Sequence, residues 1–451
     1  MHIVIIGNGI SGITAARHIR KGSDHRITVI SKESEYFFSR TALMYVYMGH
    51  MKFEHTKPYE DWFWKKNRID LLQDEIISVA IENKSLVLKS GATITYDKLI
   101  IASGSRPKKF GWPGQDLKGV QGLYSKQDLE SMEVYTKNIN RAVIVGGGLI
   151  GIEMAEMLSS RNIPVTYLVR EKHFWESVLP HEESMMINKH ILEHQIDLRN
   201  NTNLAEILSD ENGRVRAVKI DNNEIIECQF VGLTIGVNPA IDFLKESGIA
   251  CKRGVLVNKF LETNVQDVYA IGDCAEFTER ISNRKHIEQV WYTGRIMGET
   301  VAATICNQAT EYTPGIWFNS AKFFDIEYQT YGWVFPKLEA EEQTFYWEKP
   351  KEQISLRISF HKVSHAINGV IVLGMRLRHV KFDQWIHEKK TIEYILEHLP
   401  EANFDPEFYK QYEHSIIEKF NSENATSQLQ VKAKRGLFAK ISNPFQSAAS
   451  R

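Results

Sequence analysis

Apolar strand patterns that lead into glycine clusters occur twice along the chain. Residues 2–6 and 142–145 read as apolar strands, and each is followed directly by several glycines. The next segments, residues 10–19 and 149–158, place apolar side chains at helical spacing. An apolar strand that turns at once into a helix is typical of a β-α-β unit. The pattern therefore predicts two parallel, doubly wound sheets.

Other short elements fit between and after these two units. The chain predicts paired strands over residues 78–95 around turns at 83–84 and 90–91, a buried strand and glycine turn over 96–107, a strand over 165–169, a closing segment over 230–239, a short strand ending in Gly-Asp over 267–276, and a long helix over 288–305.

The pattern changes over residues 310–400. Strand-like alternation appears over residues 354–360, and a turn at Asn368-Gly369 leads into an apolar run at 370–373. One amphipathic helical stretch follows over residues 382–399. These elements predict a separate α+β domain.

Each glycine cluster matches the G-x-G-x-x-G pattern of a dinucleotide site. The first glycine makes the tight turn, the second lets the backbone approach a pyrophosphate, and the third lets the helix pack near the strand. The helix N-terminus then presents unpaired N–H groups to the phosphates. Two such patterns in strand-turn-helix context predict two bound dinucleotides with electron transfer between them. The glycines are Gly7, Gly9 and Gly12 in the first cluster and Gly146, Gly148 and Gly151 in the second.

The predicted fold class is α/β, with two Rossmann-like dinucleotide-binding domains and a C-terminal α+β domain. The predicted boundaries are residues 1–114 and 241–308 for the first dinucleotide domain, 115–240 for the second, 309–420 for the α+β domain and 421–451 for a polar and basic tail. The tail interleaves Leu437 and Phe438 with lysines. A solvated tail is favoured over a membrane-surface anchor.

Composition limits the class of protein. The 451 residues carry 55 Lys plus Arg and 56 Asp plus Glu, a formal net charge of -1, which gives no general attraction to nucleic acid. No apolar run reaches the roughly 18 residues of a membrane span. A strand that begins at residue 2 leaves no room for a signal peptide, so we expect a cytoplasmic protein. The four cysteines form no C-x-x-C pair and read as reduced structural thiols, and no metal site is predicted.

Two further positions belong to the first predicted site. An acidic residue that holds a ribose is expected about 20 residues after the glycines, but Ser31 follows the second strand directly. Glu33 is the nearest candidate, and its alternative is a solvated loop carboxylate. The small residues Ala102, Ser103 and Gly104 end a buried strand, where the backbone has to come close to a ligand.

Together these motifs resemble the pyridine nucleotide-disulfide oxidoreductase superfamily of flavoprotein reductases. The matching pieces are residues 7–12, 97–107, 146–153 and 261–276, spread over about two thirds of the chain. Residues 31–40 look most like the branch that contains rubredoxin and ferredoxin reductases, nitrite reductase and apoptosis-inducing factor. In that branch an acidic residue is followed by an aromatic-x-Arg, which ends here at Arg40.

The resemblance implies the cofactors and their contacts. It implies FAD on the first glycine cluster, with its ribose near Glu33 and its flavin framed by Arg40. The Gly272-Asp273 pair would accept a hydrogen bond from the ribityl chain. NADH or NADPH would lie on the second cluster. The helix after Glu288-Gln289 would aim its N-terminus at the flavin.

Two departures from the family narrow the chemistry. Arg40 stands where related disulfide and peroxide reductases place a redox cysteine, so thiol-based reduction is not expected. Glu153 matches a glutamate of the ferredoxin reductases, but Tyr45 occupies the position of its lysine partner. Glu153 is the candidate catalytic residue beside the nicotinamide or flavin edge. Its alternative is a helix-surface carboxylate at a domain seam.

The predicted activity is hydride transfer from nicotinamide C4 to flavin N5, followed by electron transfer to an acceptor. The acceptor is a small electron-carrier protein of the rubredoxin or ferredoxin kind, a nitrite-reductase-type partner, or a small molecule. Arg170 at the end of the second unit's strand favours NADPH, whereas Glu171 opposes it, so the nucleotide stays open. The resemblance is compatible with a homodimer.

Two alternative functions stay open. A type II NADH:quinone oxidoreductase shares the two folds, but its Ala-Gln quinone motif is not found, because residues 287–291 read Ile-Glu-Gln-Val-Trp. The other alternative is a redox-sensing flavoprotein without turnover.

Overall fold

The computed structural model describes residues 1–404, 410–424 and 428–432. The chain divides into two compact units. Unit 1 comprises Met1–Trp175 and Asn188–Pro314, and unit 2 comprises Glu176–Ile187 and the described residues from Gly315 onward. The basic part of the predicted tail, from residue 433, lies outside the described residues.

The first part of unit 1 carries one glycine turn and a small side sheet. Its elements are β1 (His2–Ile6), α1 (Ile10–Gly22), β2 (Arg26–Ser31), α2 (Leu43–Tyr47), α3 (Trp62–Lys66), β3 (Ile69–Gln73), β4 (Ile76–Ala80), β5 (Ser85–Leu88), β6 (Thr93–Thr95), β7 (Lys98–Ile101) and β8 (Ser105–Pro107).

The second part of unit 1 repeats the strand-turn-helix plan. Its elements are β9 (Val120–Gln121), α4 (Lys126–Tyr135), β10 (Ala142–Val145), α5 (Leu149–Ser160), β11 (Val165–Leu168), α6 (His181–Glu193), β12 (Asp197–Arg199), β13 (Leu204–Ser209), β14 (Val215–Ile220), β15 (Ile225–Glu227), β16 (Phe230–Leu233) and β17 (Val237–Pro239). The first residues of α6, up to Ile187, belong to unit 2.

The chain then returns to the first sheet. The elements of this segment are β18 (Val255–Val257), β19 (Val268–Ala270), β20 (Ala275–Phe277) and α7 (Trp291–Ile305). The predicted long helix begins at Trp291 rather than at residue 288. Glu288 instead forms a buried ion pair with Arg284, whose Nη1 lies 2.8 Å from Oε1 of Glu288.

Two five-stranded parallel sheets organise unit 1. Their strand orders are β19-β7-β1-β2-β3 and β12-β11-β10-β16-β9. In both sheets the strand before the glycine turn is central, and its residues are almost completely buried. The carboxyl end of a central parallel strand is where a doubly wound sheet opens a crevice, so the fold places both glycine turns at such openings. The predicted α/β class is confirmed.

The packing of α7 on α1 depends on small residues. A Cβ atom on Gly298 would lie 2.6 Å from the backbone oxygen of Ser11, and one on Gly294 would lie 2.6 Å from the Ser11 hydroxyl. These contacts bring the two helices together beside the first glycine turn, so α7 begins close to that crevice.

Unit 2 contains a five-stranded antiparallel sheet with helices. Its order is β21-β22-β25-β24-β23, and the elements are β21 (Phe318–Phe323), β22 (Ile326–Gly332), β23 (Glu342–Glu348), β24 (Ser355–His361), β25 (Ile367–Leu373), α8 (His379–His387), α9 (Ile392–His398) and α10 (Glu413–Glu423).

Two predictions for this unit are wrong in detail. Asn368 and Gly369 lie inside β25 rather than in a turn, and a Cβ atom on Gly369 would lie 2.4 Å from the Trp333 nitrogen. The glycine therefore serves a close backbone approach. The single amphipathic stretch is two helices, because Lys389 has a φ of 51° and Thr391 caps a new helix through the Tyr394 N–H.

Across the described residues, no helix combines the length and the apolar character that a bilayer crossing requires. The four cysteines are free, and Cys228 and Cys274 are buried.

A buried ion pair holds residues 176–187 in unit 2. Arg357 on β24 places Nε 2.7 Å from Oε1 of Glu183, and the two side chains are 7% and 0% exposed. Glu182, which is half exposed, lies 2.6 Å from the same guanidinium. Removing one partner of a buried pair leaves an uncompensated charge, which costs far more than losing an exposed partner.

We therefore predict that Arg357→Met lowers the free energy of unfolding by about 3 kcal/mol or more. The matched variant Glu182→Gln changes it by less than about 1 kcal/mol, because its carboxylate is solvated. Urea unfolding followed by tryptophan fluorescence measures both. Equal losses in the two variants would contradict the structural role of the buried pair.

Candidate functional site

At the first glycine turn, which directly follows β1, backbone atoms lie too close together for side chains to fit between them. Gly7 has a φ of 108° and donates its N–H to the Ile30 carbonyl at 2.7 Å. A Cβ atom on Gly7 would lie 2.1 Å from the Ala102 oxygen, and one on Gly12 would lie 2.1 Å from the Gly7 oxygen. A side chain at either position would therefore destabilise the fold.

Gly9, the middle glycine, faces open space. A Cβ atom there would meet no atom within 4 Å in the described part of the chain. Gly9 is also the N-cap of α1, and no side chain of the described residues caps that helix end. Free first-turn N–H groups beside an open backbone surface fit a dinucleotide pyrophosphate.

The strand-end residues 102–104 form the opposite wall of this crevice. The Ala102 N–H donates to the Ile6 carbonyl at 2.8 Å, which fixes the two strand ends together. The Ser103 hydroxyl is buried and has no hydrogen-bond partner among the described residues. Gly104 has a φ of 69°, and a Cβ atom on it would lie 2.8 Å from the Tyr124 hydroxyl.

Tyr124 joins this wall to Asp273. Its hydroxyl donates to Oδ2 of Asp273 at 3.2 Å and accepts the Ser105 N–H at 2.9 Å. Burial raises the pKa of Asp273, while hydrogen bonds from Tyr124 and Ser105 and the charge of Arg40 act against this rise. Asp273 follows Gly272, whose φ of 72° turns the chain at the end of β19. The carboxylate is thus held in the first crevice.

Glu33 and Arg40 form a two-pronged ion pair at the same crevice. Arg40 Nη1 and Nη2 lie 2.8 and 2.6 Å from the two Glu33 oxygens. Burial opposes the charge of Arg40, but the hydrogen bonds and charge of Glu33 outweigh it and raise the Arg40 pKa. Glu33 also accepts the Lys126 N–H at 2.8 Å, and the guanidinium lies 4.4 Å from the Tyr124 ring centroid.

The second glycine turn repeats the geometry of the first. Gly146 has a φ of 121°, and a Cβ atom on it would lie 2.7 Å from the Thr234 oxygen. One on Gly151 would lie 2.3 Å from the Tyr167 hydroxyl, whereas Gly148 has no described atom within 4 Å of that position. The open middle glycine between two crowded ones again fits a pyrophosphate.

Arg170 lies just beyond the end of β11, at the same edge as the second turn. Its side chain is 70% exposed, and Nη2 lies 3.0 Å from Oε1 of Glu171. A cation and an anion therefore stand side by side where the adenosine ribose of a bound dinucleotide would lie.

Glu153 lies on α5 shortly after Gly151, and its side chain is half-buried. Burial, with repulsion from Glu156, raises the pKa of Glu153 to about 7. A carboxyl group that titrates near neutral pH is suited to proton exchange or to sensing a nearby charge.

The structure groups the predicted residues around two crevices within unit 1. Gly7, Gly9, Gly12, Glu33, Arg40, residues 102–104, Gly272 and Asp273 lie together around the first turn. Gly146, Gly148 and Gly151 form the second turn, Glu153 follows it on α5, and Arg170 lies just beyond the end of β11. Sequence reasoning missed Tyr124 and Tyr167. Tyr124 directly precedes Ser125, which caps α4. The cap can be recognised in the sequence, but it does not indicate where the Tyr124 side chain lies.

Family comparison agrees with this geometry. The family model described as pyridine nucleotide-disulphide oxidoreductase matches residues 1–298. The chain therefore belongs to the pyridine nucleotide-disulphide oxidoreductase family, as the motifs predicted.

Several relatives carry related descriptions. An NADH-rubredoxin oxidoreductase from Clostridium acetobutylicum is 31% identical over 276 residues, which cover 61% of this chain and 68% of that protein. A nitrite reductase [NAD(P)H] from Bacillus subtilis is 29% identical over 278 residues, which cover 61% of this chain and only 34% of that longer protein. A ferredoxin reductase structure from Rhodopseudomonas palustris has a TM-score of 0.77 at 21% identity, covering 93% of this chain and 99% of that chain, which supports the fold.

The raised pKa of Glu153 predicts a pH effect on stability. Between pH 4.5, the ordinary pKa of a glutamate, and about pH 7, Glu153 holds a proton in the folded protein that it releases in the unfolded chain. Its contribution to the free energy of unfolding therefore falls as the pH rises through this range. We predict that Glu153→Gln flattens the pH dependence of the unfolding free energy of the FAD-free protein between pH 5 and 8. Glu211→Gln, on an exposed turn, is the control. Parallel curves of unfolding free energy against pH for wild type and Glu153→Gln would refute the raised pKa of Glu153.

Proposed function

We propose that this protein is an FAD-dependent NAD(P)H oxidoreductase that passes electrons to a small electron carrier. The single observation that carries the proposal is the repeated turn geometry. Each crevice has an open middle glycine between two glycines that the backbone requires, and both crevices belong to one compact unit. A protein that binds only one dinucleotide has no need for a second such crevice.

In the first crevice, Gly9 and the N-terminus of α1 hold the FAD pyrophosphate. Asp273 contacts the ribityl chain, and the hydrogen bond from Tyr124 orients the Asp273 carboxylate. Arg40 cannot turn away from the crevice, because Glu33 binds both of its Nη groups. Glu33 keeps lone-pair capacity for the ribose, since a carboxylate accepts about four hydrogen bonds.

In the second crevice, Gly148 and the N-terminus of α5 hold the nicotinamide nucleotide. Glu153 stands one helical turn further along α5 and places a titratable group beside the reacting end of that nucleotide. When bound, FAD supplies two-electron acceptance from NAD(P)H and one- or two-electron donation to the acceptor. The residues contribute position and electrostatics rather than covalent chemistry.

The acceptor class follows from the relatives and not from a motif. The Clostridium acetobutylicum relative is named after rubredoxin, a small electron carrier. We propose a carrier of the rubredoxin or ferredoxin kind as the acceptor, with quinones as the competing class.

Anaerobic absorbance spectroscopy tests the proposal. The protein reconstituted with FAD is expected to be yellow and to lose its visible flavin absorbance when NADH or NADPH is added. Failure to retain FAD, or full retention without bleaching by either nucleotide, would overturn the proposed activity.

The glycines provide a matched test of binding against folding. Gly9→Ala is expected to change the unfolding free energy of the FAD-free protein by less than about 0.5 kcal/mol, since its methyl group meets open space. It should weaken FAD binding by about tenfold or more, or about 1.4 kcal/mol, because that methyl group blocks the phosphate.

Gly12→Ala should behave in the opposite way. Its methyl group would press on the Gly7 carbonyl, so we expect a loss of about 1–3 kcal/mol of stability before any effect on FAD. Thermal unfolding and FAD titration measure the two effects separately. Equal FAD affinity in wild type and Gly9→Ala would exclude Gly9 from the phosphate site.

Arg170 provides the test of nucleotide choice. If its guanidinium holds a 2′-phosphate, Arg170→Glu lowers the NADPH-to-NADH ratio of bleaching rates by about tenfold or more, equivalent to about 1.4 kcal/mol. Arg216→Glu, at an exposed position on β14 of the same unit, is the control. An unchanged ratio in Arg170→Glu would remove this residue from the nucleotide site.

A further inference from the structure

A cationic cleft of about 940 Å³ lies in unit 1 next to the first crevice. It is formed by the ends of β8 and β17, by residues 241–253 and by residues 280–289. Among the described residues, seven Lys or Arg side chains line it, but only one carboxylate, Asp242. The chain as a whole has a net charge of -1, so this concentration of positive charge is local.

The cleft is connected to the first crevice through hydrogen bonds. Gln289 lines the cleft, and its Nε2 donates to the Ser105 hydroxyl at 2.8 Å. The Ser105 N–H donates to Tyr124, which in turn donates to Asp273. The cleft therefore opens beside the residues proposed to hold the flavin, not at a distant surface.

Much of the charge in the cleft is not neutralised internally. Asp242 is shared by Arg106 and Lys245, and Arg253 lies 3.7 Å from the buried Glu276. Lys252, Arg280 and Lys285 are exposed, and no carboxylate in the described ranges lies within ion-pair distance of them. The nearby exposed residues Glu246 and Glu279 do not line the cleft.

The cations stand on a rim rather than around an enclosed pocket. The side chains of Arg106, Lys245 and Arg253 are 56%, 76% and 73% exposed. Exposed charges on a rim contact a facing surface, and they mainly increase association rates with an oppositely charged partner. A deeply bound small anion would instead need cations that are themselves buried.

We infer that this cationic cleft is the docking surface for the acidic face of an electron-carrier protein. The inference rests on the proposed function, and it names the charge of the partner and the residues that meet it. Electrons then have a short route, because the docked carrier stands next to the Gln289–Ser105–Tyr124 contacts of the flavin crevice.

Charge reversal tests the surface in the FAD-loaded, full-length protein. The variants are Lys252→Glu and the double variant Arg280→Glu/Lys285→Glu, and Lys137→Glu on an exposed turn elsewhere in unit 1 is the control. The probes are an acidic plant-type [2Fe–2S] ferredoxin, the basic carrier cytochrome c and the neutral small acceptor menadione.

We expect the double variant to lower kcat/KM for ferredoxin by about tenfold or more, mainly through KM. The dependence of this rate on ionic strength should weaken in both variants, because salt screens exposed charges. Anaerobic bleaching by NAD(P)H and menadione reduction should match wild type, which also shows that the variants are folded. Lys137→Glu should behave like wild type throughout.

Unchanged ferredoxin kinetics in both variants would overturn the inference. So would wild-type protein that reduces menadione but not ferredoxin, or that prefers cytochrome c. Retention of a DNA duplex in preference to ferredoxin at the same ionic strength would assign the cleft to nucleic acid instead. Failure of the proposed function is a separate result, since NAD(P)H then fails to bleach the flavin of the wild type.

Discussion

The close approach of backbone to backbone at the two glycine turns is the constraint on which the rest of the site depends. At Gly7 and Gly146 the carbonyl oxygens of Ala102 and Thr234 occupy the space that a side chain would need. This contact joins the end of one central strand to the next strand of the same sheet. It also fixes where α1 and α5 begin, and therefore where their free N–H groups point. Between these crowded glycines, Gly9 and Gly148 keep open space beside the backbone.

Charged and phenolic side chains fix the first crevice further. Arg40, Glu33, Tyr124 and Asp273 are connected by hydrogen bonds or ring stacking, and they come from three separate chain segments. Two of those segments lie in the predicted FAD domain, and Tyr124 lies at the start of the predicted nucleotide domain. Such a network resists local movement, because displacing any member leaves a buried polar group without a partner. The second crevice is different, since Arg170 is exposed and Glu153 carries a carboxyl group that burial has partly neutralised.

The sequence predicted the parts of the structure that depend on local periodicity and on glycine. Both strand-turn-helix units, the paired strands that lie over residues 76–95 and the position of Gly272-Asp273 follow from spacing alone. Side-chain contacts between distant segments could not be predicted in this way. Nothing local to Tyr124 indicates that its hydroxyl meets Asp273, 149 residues away.

The errors have the same origin. Asn368-Gly369 is a common turn signal, but here the glycine allows Trp333 to approach β25. The long helix starts at Trp291 rather than at residue 288, and Glu288 instead pairs with Arg284 in the interior. The cationic cleft was also invisible in the sequence, since its lysines and arginines come from three separated segments and the net charge of the chain is close to zero.

The number of dinucleotides bound per chain tests the central claim most directly. Equilibrium dialysis of the protein with saturating FAD and either NAD⁺ or NADP⁺ is expected to give one FAD and, with at least one of the two nucleotides, one nicotinamide nucleotide per chain, without competition with FAD. A total of one dinucleotide per chain with both nucleotides, or displacement of FAD by either of them, would contradict the account of two independent crevices.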